Sequence, residues 1–344
     1  MDKYGYRFSF GPWNIHPGAD PFGPPVRAER CFDEKLRLYT ELGFDAVQFH
    51  DDDAVPNLDD LTPAQMREQT RRVKRKLEDH GLAAEFVAPR LWENPKTIDG
   101  GYTSNDPEER AYAIERSLRA IDIANELGTD LMVLWLAREG TYLREAKDPV
   151  RSTELILKGI NRMLEYDPHI RIAIEPKPNE PMDLAYIPTV GHAVALAFKT
   201  DDPDRVGVNM ESAHSILVGL DPSEELGFAL AFNKLWTVHL NDQNGLKFDQ
   251  DRAFGMVNLR RAFNEVRVLD EHKYFEIGCV GLDVKALRTQ GFEVAHKHLR
   301  NSMEIFLQLV EVSRSLDREA VQEVIQQRDY EELDVLIMGH LMGR

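Results

Sequence analysis

The sequence predicts an α/β fold, a (β/α)8 TIM barrel with a C-terminal helical tail. Two observations carry that expectation. Eight short apolar runs recur along the chain, and amphipathic stretches with apolar residues at helical spacing lie between them. No Gly/Ser/Pro-rich linker breaks the alternation, so parallel strands joined by crossover helices fit better than two separate domains.

Taken in order, the runs are Tyr6 to Phe10, Phe44 to Phe49, Ala83 to Ala88, Leu131 to Trp135, Ile170 to Ile174, Val206 to Asn209, Leu235 to Leu240 and Tyr274 to Ile277. Each is short, apolar and suited to a strand buried on both faces. The stretches between them include Glu34 to Leu42, Pro63 to His80, Asp106 to Leu127 and Pro149 to Leu164, each apolar along one helical stripe. Residues 1–301 therefore form the predicted barrel. Residues 302–344 show helical patterns without strands, with Leu307, Leu309, Val310 and Val312 in the first and Val324, Ile325, Leu333, Leu336 and Ile337 later. An apolar helical tail added to a finished barrel must cover something, and a neighbouring subunit is the expected partner.

Composition narrows the function. The 344 residues are 42% hydrophobic and 29% charged, which is ample for a globular core. A net charge of −17 disfavours nucleic acid, whose phosphates draw on clustered Lys and Arg. The acidity is instead compatible with carboxylates gathered around metal ions. Cys31 and Cys279 are too few for a disulfide framework, no apolar run approaches the ~20 residues of a membrane span, and the N-terminus carries no signal segment. A cytoplasmic protein with no membrane partner is expected.

A barrel of this kind places its site at the C-terminal ends of the strands. There the second strand runs into His50-Asp51-Asp52-Asp53, the fourth ends in Trp135, and the fifth leads into Glu175-Pro176-Lys177. The sixth is followed by Glu211 and His214, and the seventh contains His239 and precedes Asp249 and Asp251. Asp283 follows the eighth. An acid at a strand end is ordinarily a helix cap or a solvated charge. Five carboxylates (Glu175, Glu211, Asp249, Asp251, Asp283) with His214 and His239 at successive barrel mouths would repel one another without cations between them. Oxygen-rich ligation with imidazole suits magnesium, manganese or cobalt.

The segments FHDDD (49–53), DGGYTSND (99–106), LWLAREG (134–140), EPKPNEP (175–181), VGVNMESAH (206–214), GLKFDQDRAFG (245–255) and the terminal HLMGR (340–344) closely resemble the xylose isomerase family. That resemblance implies an aldose–ketose isomerase with two divalent ions per subunit and no organic cofactor. It interconverts D-xylose and D-xylulose, or D-glucose and D-fructose, by ring opening and a 1,2-hydride shift. The resemblance assigns Glu175, Glu211 and Asp283 to a first metal, with Glu211 bridging to a second held also by His214, Asp249 and Asp251. His50 and Asp53 correspond to the pair that meets the ring oxygen, and Lys177 to the lysine on the carbonyl-end oxygen. Trp13, Trp92 and Trp135 correspond to aromatic walls, with Trp92 in place of a phenylalanine. Phe22 corresponds to a residue inserted into the neighbouring subunit's pocket, which implies a homodimer or homotetramer.

The sequence also departs from that pattern. His239 stands where the family's first metal has an aspartate, and it is read here as a metal ligand of changed type. Ala88 replaces a threonine that donates to a sugar hydroxyl, and Leu136-Ala137 replace a glycine pair, so the preferred sugar need not be xylose. The tail is shorter than is usual. The competing readings are an epimerase or another isomerase on the same barrel, a metal-dependent phosphodiesterase acting on DNA, and a non-catalytic sugar-binding paralogue.

Overall fold

The computed structural model describes residues 3–20, 22–246 and 248–343; Lys247 and Arg344, each within a motif named above, lie outside them. Eight parallel strands close into a barrel: β1 Phe8–Phe10, β2 Ala46–His50, β3 Ala83–Ala88, β4 Leu131–Trp135, β5 Arg171–Glu175, β6 Val206–Glu211, β7 Leu235–Leu240 and β8 Val280–Leu282. Each strand bonds to the next in sequence, and β8 returns to β1.

The helices that follow the strands are α1 Phe32–Leu42, α2 Pro63–Asp79, α3 Pro107–Leu127, α4 Pro149–Tyr166, α5 Val190–Ala197, α6 Pro222–Ala231, α7 Leu259–Glu271 and α8 Lys297–Ser315. Their starts are written locally. Thr62, Asp106, Asp148 and Asp221 each place a capping oxygen before a proline at the first helical position, where the missing N–H costs nothing. Alternation along the strands then sorts the core into two layers. On β4, Leu131 and Val133 turn into the barrel with Phe86, Ala88 and Ala173, while Met132 and Leu134 face the helices.

A β-bulge shapes the mouth. Val47 pairs with Ala84 but Phe49 pairs with Val87, so β3 carries one extra residue there. The shift sets Ala88 opposite His50 and aims Phe86 into the cavity. A two-stranded ribbon, Gly140–Thr141 with Leu184–Ala185, ties the loop after β4 to the loop after β5. Gly140 is required there, since a Cβ would stand 2.2 Å from the Leu184 carbonyl oxygen.

The eighth strand differs from the sequence expectation. Tyr274–Glu276 is a 3-10 turn, and the strand is Val280–Leu282. Tyr274 is apolar in pattern because it is buried, with its hydroxyl donating to the Cys279 carbonyl at 2.8 Å. Gly281 disguises the true strand. A Cβ at that position would meet the Val238 carbonyl at 2.4 Å and the His239 ring at 3.2 Å.

The division drawn at 301 falls inside α8, which packs on α7 and buries Leu299, Phe306, Leu309 and Val310 in the main core. Phe306 meets the Tyr6 and Phe8 rings edge-on at 4.8 and 5.6 Å. Beyond it, α9 (Arg318–Gln327) and α10 (Tyr330–Leu341) pair with each other. Ile337 and Leu341 rest against this subunit's own core, Asp334 pairs with Arg260 of α7, and Val335 on α10 is exposed.

Candidate metal centre

The barrel brings together all seven acid and histidine positions singled out from the sequence. Glu175 and Glu211 are the last residues of β5 and β6, and His214 lies on the short helix Ser212–Leu217 that follows. His239 is on β7 opposite Glu211, Asp249 and Asp251 are in the loop after β7, and Asp283 directly follows β8. Asp251 holds φ at +43°, a left-handed conformation that aspartate tolerates and that turns its carboxylate back toward the barrel axis.

Glu211 is the hub. One ligand atom each from Glu175, Glu211 and His214 lie within 4.8 Å of one another, as do those of Glu211, His239 and Asp283, and those of Glu211, Asp249 and Asp251. His214 Nε2 is 3.2 Å from both Glu211 Oε1 and Asp249 Oδ2, and His239 Nδ1 is 3.3 Å from Glu175 Oε2. Four atoms of the cluster, Glu211 Oε2, His214 Nδ1, His239 Nε2 and Asp249 Oδ1, are buried without a hydrogen-bond partner. Buried polar atoms are rarely left so, and their presence among three groups of ligands that share Glu211 fits divalent cations.

The electrostatics point the same way. Burial would push the Glu175 carboxyl up, but the neighbouring His239 and His214 imidazoles hold it down to about 2. Burial, with the Asp249 and Asp283 charges, pushes Glu211 up to about 8. Asp251 is raised by burial and by Asp249, whereas Asp249 is lowered because Lys177, His214 and Lys285 together outweigh its burial. Without cations the carboxylates cannot all ionise together.

Two asparagines hold the ligand set in place. Asn209 Nδ2 donates to Glu175 Oε2 at 2.6 Å, and Asn241 Nδ2 donates to Glu211 Oε1 at 2.9 Å and reaches Asp251 Oδ1 at 3.1 Å. Lys285 pairs with Asp251. None of the three has a role assigned from the sequence; the available cue is that Asn209 lies two residues before Glu211 and Asn241 two after His239, on the same strand faces.

A cavity of about 280 Å³ opens over the cluster. Trp13 donates from Nε1 to Asp283 Oδ1 at 2.9 Å, and Trp92 meets Trp135 edge-on at 4.4 Å. Lys177 Nζ lies 4.9 Å over the Trp135 ring and donates to Asp249 Oδ2 at 2.8 Å. His50 stands between Trp13 and Trp92, at 4.2 and 5.0 Å, with Asp53 behind it at 2.8 Å. Ala88 lines the wall where the sequence pointed to a lost donor. Phe22 is not brought to this cavity; it is 75% exposed and rests edge-on against Phe248. Arg90, which the sequence reading passed over, reaches the cavity beside His50.

A closed parallel barrel whose strand ends carry an acid and histidine cluster beneath a tryptophan-walled cleft defines a barrel with a candidate metal centre at its mouth. The chain belongs to the xylose isomerase-like TIM barrel family, whose profile matches residues 36–302. It is 37% identical over 312 residues to a xylose isomerase of Thermus thermophilus and 36% identical over 311 residues to one of Thermus caldophilus; each match covers 89% of this chain and 79% of the relative. Among solved structures, a D-psicose 3-epimerase in the presence of D-fructose superposes with a TM-score of 0.64 at 13% identity, covering 88% of this chain and 99% of that one. A D-tagatose 3-epimerase-like protein gives 0.62 at 15%, covering 89% and 98%. At such identities the likeness is one of fold. Among the described residues, no helix is long and apolar enough to cross a membrane.

Proposed function

We propose that this protein is a metal-dependent aldose–ketose isomerase acting by ring opening and a 1,2-hydride shift. The observation that carries this reading is the three groups of ligand atoms that share Glu211, in the lining of a cavity that also holds Lys177. Glu175, Glu211, His239 and Asp283 would hold one divalent ion, and Glu211, His214, Asp249 and Asp251 a second. Bound cations would supply positive charge that polarises adjacent sugar oxygens.

The remaining work falls to the chain's own side chains. Lys177, kept charged by Asp249 and Glu180 despite its burial, presents an ammonium to the oxygen at the reacting end of the sugar. Trp13, Trp92 and Trp135 exclude water from the carbons between which hydrogen migrates. His50 meets the ring oxygen. Because Ala88 offers no donor and Trp92 adds bulk, the sugar best served need not be xylose.

The test is a screen of aldoses against the chelator-stripped protein with magnesium, manganese or cobalt restored. Ketose formation that requires an ion is expected. No turnover with any aldose and ion, or a C3 epimer as the product, would overturn the reading in favour of a silent paralogue or an epimerase.

A further inference from the structure

Arg90 lies two residues past β3 and is held from several sides. Its backbone N–H donates to Asp51 Oδ1 at 3.1 Å, and Asp51 is itself gripped by buried Arg116 at 2.7 and 2.8 Å. Its Nε donates to Asp52 Oδ1 at 2.7 Å, its Nη1 reaches Glu93 Oε1 at 3.3 Å, and the guanidinium lies 5.2 Å over the Trp92 ring. Nη2, fixed by this frame, stands 2.7 Å from His50 Nδ1.

Two groups therefore contend for one nitrogen. Asp53 Oδ2 is 2.8 Å from the same Nδ1, and a carboxylate there asks Nδ1 to carry a proton. A guanidinium never gives up its hydrogens, so a donor at 2.7 Å asks Nδ1 to offer its lone pair. Both demands cannot be met at once. Asp53 has other donors: Oδ2 accepts the His50 backbone N–H at 3.2 Å, and Oδ1 accepts Arg90 Nη2 at 3.3 Å. Arg90 cannot turn away, because Asp52, Asp53 and Glu93 hold it in place.

We propose that Arg90 is a positioning residue that holds His50 as a neutral imidazole with its single proton on Nε2, so that a sugar entering the cavity meets a hydrogen-bond donor there. The proposal rests on the reading of the cavity as a sugar site. A ring oxygen has lone pairs and no hydrogen, so it can bind only a donor, and a donor-only edge favours the cyclic aldose. Asp53 then serves Arg90 and the backbone rather than the ring. No proton leaves the imidazole in this role.

The experiment is a magic-angle-spinning 15N spectrum of the full-length, magnesium-loaded protein labelled at histidine, with His50 assigned by the signals lost in His50→Gln. A pyridine-type Nδ1 and a pyrrole-type Nε2 are expected in the native protein, and Arg90→Met should reverse them. A native protein with Nδ1 protonated, or a pattern indifferent to Arg90→Met, overturns the proposal. In kinetics, Arg90→Met should raise KM for the preferred aldose about tenfold, the scale of one lost hydrogen bond, with a smaller change in kcat. An unchanged KM with a reversed tautomer overturns the link to the sugar. If no aldose is turned over, the proposed activity fails, and the tautomer is decided by the spectra alone.

Discussion

Lys177 Nζ donates to Asp249 Oδ2 at 2.8 Å, joining the end of β5 to the loop after β7 across the barrel mouth. The contact binds a cation to a candidate metal ligand in a buried site, where charge acts strongly on a reacting oxygen. Lys177→Ala and Asp251→Ala should each keep the native circular dichroism spectrum and lose at least about 100-fold in kcat, the scale of one preorganised charge at a reacting oxygen. Near-native turnover in either variant would remove the residue from the mechanism.

His239 should move metal preference. Replacing a carboxylate with a neutral imidazole removes one negative charge from the first ion's surroundings. One charge pair at ~4 Å and an effective dielectric of ~20 is worth about 4 kcal/mol, a scale that the ion's own hydration offsets. Imidazole suits manganese and cobalt better than magnesium. Titration of the stripped protein should therefore show tighter manganese and cobalt binding than magnesium, with His239→Asp restoring magnesium. Equal affinities unaffected by the substitution would make His239 a packing residue.

How far the sequence spoke for itself can be read residue by residue. Strands β3, β4 and β7 fall where their apolar runs predict. His50, Glu175 and Glu211 close their strands, one or two residues past the predicted ends, since strand ends that feed a site carry polar residues. The eighth strand was hidden by Gly281, demanded by close packing against β7 and His239. Arg90 was illegible for another reason: its partners His50, Asp52 and Asp53 lie about forty residues earlier and come into reach only when β2 and β3 pair.

His298 should give stability a histidine-dependent acid limb. It lies on α8 and donates from Nε2 to the Asn14 carbonyl at 3.0 Å, leaving Nδ1 buried and unpartnered. Burial, with His16 and His296 nearby, lowers it from its ordinary 6.5 to about 4. The unfolded chain thus binds a proton between those values that the folded chain refuses, so stability is full above pH ~6.5 and falls as pH drops toward ~4, by on the order of 3 kcal/mol. Urea midpoints measured across that window should fall less steeply in His298→Gln. Identical slopes would show that His298 does not set them.

Phe22 should complete a neighbouring subunit's cavity. Its exposure on a loop beside the mouth supports an active dimer or tetramer. Light scattering should find an oligomer, and Phe22→Ser should raise KM while leaving the melting temperature of the subunit nearly unchanged. A fully active monomer would contradict this role.

Transfer of hydrogen within the sugar is the central claim, and isotope retention tests it most directly. The preferred aldose, converted in deuterated water with the best-supporting divalent ion, should give a ketose whose C1 carries no solvent deuterium by NMR. One solvent deuterium per turnover at C1 would show proton abstraction by a base and contradict the hydride shift.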